Sequence, residues 1–304
     1  MAISRAQLVK ELEPGLNALF GLEYKRYENQ HAEIYTTESS DRAFEEEVML
    51  SGFANAQTKA EGSGVSFDEA QETYTARYTH DTIALAFAIT EEAIEDNLYD
   101  RLASRYTKAL ARSMSNAKQV KAVTPLIQGL PSTDNYDSGD AVSLFTTNHS
   151  TVSGTVVKNT LTTQADLNET SLEQALIDIA GMTDERGLRV AAKGTKMIIP
   201  SANQFAAERL LKSPGRTGTA DNDINAVVSM GMVPQGYRVN NFLTDTDSWY
   251  IITDVPNGMK MFQRAALKTA MEGDFDTGNV RYKARERYSF GVSDYRGIFG
   301  VEGA

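Results

Sequence analysis

The chain has three histidines, His31, His80 and His149, and each stands alone in the sequence. None occurs in a His-Glu-x-x-His or comparable ligand spacing, so no metal motif is present. Asp134, Asp137 and Asp140 recur every third residue around Asn135, Tyr136 and Gly139. A calcium loop needs alternating ligands and a closing glutamate, so this stretch reads as a solvated turn, as do Asp274 and Asp276. Ser115-Asn116-Ala117-Lys118 matches the Ser-x-x-Lys pattern of some acyl-transfer enzymes without their partner motifs. Gly215-Arg216-Thr217-Gly218 lacks the lysine of a phosphate loop, and Lys193-Gly194-Thr195-Lys196 has a single glycine. Asn148-His149-Ser150 and Asn168-Glu169-Thr170 fit glycosylation acceptors, but no secretion signal precedes them. With no cysteine there is no thiolate nucleophile, disulfide or thiolate-bound metal. The residue inventory predicts no enzyme, no cofactor and no metal site.

The stronger signal is an interaction device. From Val280 to Phe290, Arg281, Lys283, Arg285 and Arg287 alternate with Val280, Tyr282, Ala284, Glu286, Tyr288 and Phe290. A period of two is a strand period, so four cations are predicted on one face and mostly apolar groups on the other. Residues 38–72 are the acidic counterpart, with nine acids (among them Glu45, Glu46 and Glu47) against Arg42 and Lys59, a formal charge of −7. Residues 260–287 carry seven bases and four acids, or +3. Complementary faces on one chain set orientation and partner choice between copies, and a heterologous pairing that closes gives rings or shells. DNA is the other destination open to the four cations.

The elements that position these groups follow from pattern. The chain has 304 residues with 41% hydrophobic and 23% charged, an ordinary globular composition. Its net charge of −11 argues against non-specific wrapping of nucleic acid, though not against a local basic face. No apolar run is long enough to span a membrane, which points to a cytosolic product. Residues 4–20 read as one short helix stopped by Pro14. Gly62-Ser63-Gly64 lies between two strand-like arms, the second being Thr73–Thr79, which predicts a long hairpin with little core of its own. Thr90 caps the clearest helix, which carries Ile94, Leu98, Leu102, Tyr106, Leu110 and Met114 as an apolar stripe and Arg101, Arg105, Lys108, Arg112 and Lys118 on its surface. Residues 129–168 predict loops and short strands. Helices follow at Ser171–Met182 and Ala202–Lys212, and an exposed loop near Pro214–Gly218. Strands are expected at Lys196–Pro200, Tyr237–Phe242, Ser248–Thr253 and Met259–Gln263, with Asn257-Gly258 as a hairpin turn. No regular βαβ repeat appears, so the class is α+β.

This order of elements resembles the major capsid proteins of tailed bacteriophages with the Hong Kong 97-type (HK97-like) fold, and more narrowly the Mu-type major head subunits. Two stretches support the narrower likeness, Met197-Ile198-Ile199-Pro200-Ser201-Ala202-Asn203-Gln204-Phe205 with its continuation to Ser213, and Arg285-Glu286-Arg287-Tyr288-Ser289-Phe290-Gly291 with its continuation to Arg296-Gly297. The resemblance implies an N-terminal arm at 1–37, an E-loop at 38–80, a peripheral domain at 81–169 with a spine helix at 90–122, an axial domain at 170–250, and a return to the peripheral domain at 251–304. It implies hexamers and pentamers forming an icosahedral shell around double-stranded DNA, with portal, scaffolding and decoration proteins as partners. The expected location is the virion capsid, after synthesis in the host cytoplasm, with no membrane partner. Only about 30 residues precede the E-loop, so scaffolding is expected from a separate protein or a removed segment. Lys59 is the one lysine in the E-loop, and no asparagine can be chosen to crosslink with it; a non-covalent shell is expected. The assembly candidates are Glu45, Glu46, Glu47, Lys59, Arg281, Lys283, Arg285 and Arg287. An encapsulin-like nanocompartment and a tail or baseplate protein are the rival readings.

Overall fold

The computed structural model describes residues 5–90, 92, 99–133, 135–215, 223–274 and 278–304. Helix α1 (Arg5–Arg26) is continuous through Pro14, where the sequence predicted a stop. Pro14 and Gly15 are exposed, while Leu16 and Phe20 are buried. Apolar packing on one side of the helix thus outweighs a missing hydrogen bond on the other. A short 3₁₀ turn (Gln30–Glu33) leads to strand β1 (Thr36–Ser39). The acidic segment then forms the expected hairpin, β2 (Phe44–Leu50) antiparallel to β3 (Glu72–Thr79), and the chain re-enters the body at β4 (Asp81–Ile89).

The long helix α2 runs unbroken from Tyr99 to Gln128, about 45 Å at 1.5 Å per residue. It passes through Pro125, later than the predicted end. Leu126 is fully buried just beyond the proline, and the Gly129 N–H closes on the Pro125 carbonyl, so core contacts hold the last turn. The predicted start between Thr90 and Tyr99 falls largely on residues outside those described. Its length has a packing reason. Ala103, Leu110, Ala111 and Met114 join a small core with Leu16 and Phe20 of α1, whereas Ala122, Val123 and Leu126 join the main core around Trp249, Tyr250 and Phe299.

Beyond α2, short strands β5 (His149–Ser150) and β6 (Val156–Val157) pair within irregular chain. Helix α3 (Glu169–Gly181) is capped by Asn168, whose side chain accepts from the Ser171 N–H while the Ser171 hydroxyl accepts from the Asn168 N–H. β7 (Gly194–Ile199), α4 (Gln204–Lys212), α5 (Ala226–Met230), β8 (Tyr237–Val239) and β9 (Trp249–Thr253) follow, then β10 (Met259–Gly273), β11 (Val280–Val292) and β12 (Ile298–Val301). Two four-stranded sheets result, ordered β1-β10-β11-β4 and β12-β9-β7-β8.

Three expectations are corrected here. Asn257-Gly258 is a turn, with Asn257 at φ +59°, but β9 and β10 belong to different sheets, so it is not a hairpin turn. Asp140 is not solvated, because its carboxylate pairs with the buried His149 at 2.6 Å. Lys118 is not on the surface of α2; it is buried against Glu286 at 3.4 Å. Asp134 and Asp276 lie outside the described residues. No helix among the described residues is long and apolar enough to cross a membrane.

Candidate assembly interface

The basic ladder is the middle strand of its half of the sheet. β11 pairs antiparallel with β10 on one side and β4 on the other, so its two faces are fixed by ladders along both edges. Val280, Tyr282, Ala284, Glu286 and Tyr288 are buried in strict alternation. Tyr282 and Ala284 pack against α1 and α2, and the Tyr282 hydroxyl donates to Asn17 Oδ1 at 2.8 Å. Glu286 is the one acid in the ladder, and it faces inward with Tyr24 and Lys118. Burial raises its pKa above the ordinary carboxylate range despite the opposing Lys118 charge.

Arg281, Lys283 and Arg285 are exposed on the other face, with Arg287 half-buried. Lys268 stands opposite Arg285 on β10 and adds a fifth cation that the alternating pattern could not reveal. On the β4 side, Ala84, Ala86 and Ala88 stand opposite Arg285, Lys283 and Arg281. Methyl side chains leave the guanidinium and ammonium groups standing above a flat floor.

The other end of this same face is already covered by the chain's own hairpin. The Tyr78 ring lies over Gly291, where a Cβ would collide with it, and meets Phe262 edge-on at 4.8 Å between centroids. Lys260 pairs with Glu47 at 2.5 Å and with Glu38 at 3.1 Å. Burial alone would pull the Lys260 pKa down, but the two carboxylates outweigh it and raise it. At the joint, His80 bridges Ser40 and Ser289, each at 2.9 Å, and Ser40 donates to Glu45 at 2.6 Å. Glu45 accepts that hydroxyl proton, so His80 Nε2 carries the hydrogen toward Ser40 and Nδ1 accepts from Ser289.

The sequence-derived candidates therefore divide. Glu47 meets Lys260 and Glu46 meets Arg77 at 3.7 Å, both within the molecule. Arg281 pairs with Asp274 at 2.5 Å, and the Arg287 Nε donates to the His80 carbonyl at 3.4 Å. Among the described residues Lys283, Arg285 and Arg287 make no ion pair, and Lys59 is exposed on the loop between β2 and β3 without one. The hairpin and the ladder share a face, but the hairpin stops short of the ladder's cations. Lys260 was legible only as one base among seven; its role depends on a contact 213 residues away in sequence. The hairpin also exposes apolar groups, including Val48, Leu50, Phe53 and Val65, with Phe67 97% exposed. Exposed apolar groups concentrated on one hairpin suit a contact surface.

A family profile described as "Phage capsid protein" matches residues 73–301, three-quarters of the chain. The chain belongs to that family. No curated protein sequence matches it. Among solved structures, the capsid of an empty GTA particle aligns with a TM-score of 0.55 at 13% identity, covering 91% of each chain. The capsid of Myoviridae phage XM1 gives 0.52 at 10% identity over 89% of each chain. The virus-like particle from Pyrococcus furiosus gives 0.51 at 12% identity, over 94% of this chain and 98% of that one. At such identities the likeness speaks for the fold. The protein is a structural capsid protein with the α+β architecture of the HK97-type major capsid proteins.

Folding of this capsid protein has a pH-sensitive element between α2 and Phe290 of β11. His31 is buried, its N–H donates to Gln119 Oε1, and its Nδ1 accepts from Gln119 Nε2, each at 3.0 Å. Burial, then the nearby Lys118 charge, lowers its pKa from 6.5 to about 4. The unfolded chain therefore binds this proton first, and the associated stability is present above pH 6.5 and lost as pH falls toward 4. A loss of about 3 kcal/mol is expected from this group across that window. In urea titrations of the unassembled subunit, His31→Asn should show a shallower decline over the same range. Parallel pH profiles for the two proteins would count against the assignment.

Proposed function

We infer that this capsid protein assembles as hexamers and pentamers into an icosahedral shell enclosing double-stranded DNA. The division that fits this role takes 1–37 as arm, 38–80 as E-loop, 81–169 with 251–304 as peripheral domain, and 170–250 as axial domain. It works without catalysis, as a wall of the virion made in the host cytoplasm, with portal, scaffolding and decoration proteins as partners.

One observation supports the interface most strongly: a cationic half-face continues uncovered from the place where the chain's own acidic hairpin sits. Lys268, Lys283 and Arg285 project there over an alanine floor. The hairpin of a second copy brings complementary groups, because residues 38–72 have a charge of −7 and its loop exposes Phe53, Val65 and Phe67. Apolar burial then supplies affinity, and the charges set register and partner. Each subunit gives a hairpin and receives one, the heterologous arrangement that closes into rings.

The test is Lys283→Glu with Arg285→Glu. Arg287 is left intact because it holds the His80 carbonyl within the subunit. The variant should keep the wild-type circular dichroism spectrum and lose shells by at least about tenfold in negative-stain particle counts, since like charges opposed across an interface cost several kcal/mol. Shells at wild-type yield would remove this face from the interface. Tubes or open rings from the wild-type chain would overturn the closed-shell reading itself.

A further inference from the structure

The geometry points to the exposed face of α2, carrying Arg105, Lys108 and Arg112, as the surface that contacts DNA phosphates. This rests on the capsid reading above and gives its DNA contact a location.

In a chain of net charge −11, residues 101–133 contain six bases and no acid. Two of the six serve the fold: Lys118 pairs with Glu286 at 3.4 Å, and Lys121 pairs with Asp81 at 2.5 Å. Arg105, Lys108 and Arg112 are exposed and, among the described residues, make no ion pair. Steps of three and four residues place them on one side of the helix, over about 10 Å of its axis. Ala109, Ser113 and Asn116 are exposed beside them, short side chains that let a rod-shaped ligand approach closely. Glu23 of α1 is engaged with Arg26 at 3.5 Å rather than with this row.

Chemistry favours a polyphosphate over a protein here. Protein interfaces rely on desolvated aromatic or aliphatic anchors. The described part of this face has Tyr106, whose ring packs on Phe87 at 5.7 Å between centroids, and Val120. Phosphate binding without sequence preference needs cations and no anchor. Placement agrees. α2 packs beneath the sheet with Tyr282 and Ala284, while the acidic hairpin stands on the opposite face over Gly291 and Lys260. The helix row thus lies on the side of the subunit away from the acidic hairpin, and DNA is received on the helix side.

The experiment measures binding of a fluorescent 30-base-pair duplex to the full chain by anisotropy between about 50 and 200 mM salt, a range over which phosphate contacts are strongly screened. Three phosphate contacts predict a roughly 40-fold loss of affinity across that range. Arg105→Gln, Lys108→Gln and Arg112→Gln together should bind about tenfold or more weakly at the low-salt end, with a much flatter salt dependence. Lys283→Gln with Arg285→Gln, on the opposite face, should bind as wild type does. Wild-type binding by the helix variant, no duplex binding by the wild-type chain, or loss in the sheet variant instead would each overturn the assignment. Particle formation is scored separately by microscopy, so failure to form shells counts against the capsid reading and the duplex result against this one.

Discussion

Arg296→Met is expected to destabilise the subunit by about 3–5 kcal/mol, because it leaves two buried carboxylates without their cation. The Arg296 guanidinium pairs with Glu185 and, at 3.3 Å, with Asp294. Its Nε donates to the Thr183 carbonyl at 2.9 Å, and it also donates to the Tyr295 hydroxyl at 3.1 Å. Tyr295 in turn stacks on His149 at 3.7 Å, and His149 binds Asp140 at 2.6 Å. This network ties the C-terminal segment to the chain after α3 and to the loops between α2 and β5. Urea titration of the unassembled subunit measures the loss. Combining Arg296→Met with Glu185→Gln and Asp294→Asn should recover part of it, since no ion is then stranded. A loss below about 1 kcal/mol for the single substitution would show that solvent reaches the site.

Gly297→Ala should cost about 3 kcal/mol by a different mechanism, overpacking against backbone. Gly297 and Gly258 cross in contact: a Cβ on Gly297 would overlap the Gly258 Cα, and one on Gly258 would lie 2.8 Å from the Gly297 Cα. Backbone cannot turn aside as a long side chain can, so the turn at 255–258 and the 3₁₀ turn Tyr295–Gly297 ahead of β12 must separate. Gly258→Ala opposes the same crossing, and the two substitutions together should cost less than their sum. Thermal melts of the three variants test this; Gly297→Ala within about 0.5 kcal/mol of wild type would mean that the crossing can relax. The Arg-Gly pair that carried the sequence resemblance is thus two adjacent structural locks, one electrostatic and one steric.

Local pattern was a good guide wherever local physics decides. The alternation from Val280 to Phe290 set both faces of β11, and the helix predicted from Ser171 starts at Glu169, within two residues. It misled where tertiary packing overrides propensity. Pro14 lies inside α1 and Pro125 inside α2, because Leu16, Phe20 and Leu126 hold those turns from the buried side. β10 extends to Gly273, ten residues past the predicted end, because β11 offers it a partner along that length. Asp140 reads as a turn residue until His149 folds over it.

By itself the sequence determined the cationic row, the acidic hairpin and the long basic helix, since period and charge are properties of neighbouring residues. Only the tertiary structure decided how the charges are allocated. Glu47 and Glu38 go to Lys260, Glu286 turns inward to Lys118, and Lys283 and Arg285 are left outward. It also decided which side of the sheet each charged element occupies, with the hairpin over Gly291 and α2 beneath Tyr282. These pairings join residues up to 222 positions apart. Such contacts are set by sheet order and by the packing of Tyr78 over Gly291, which no local pattern encodes.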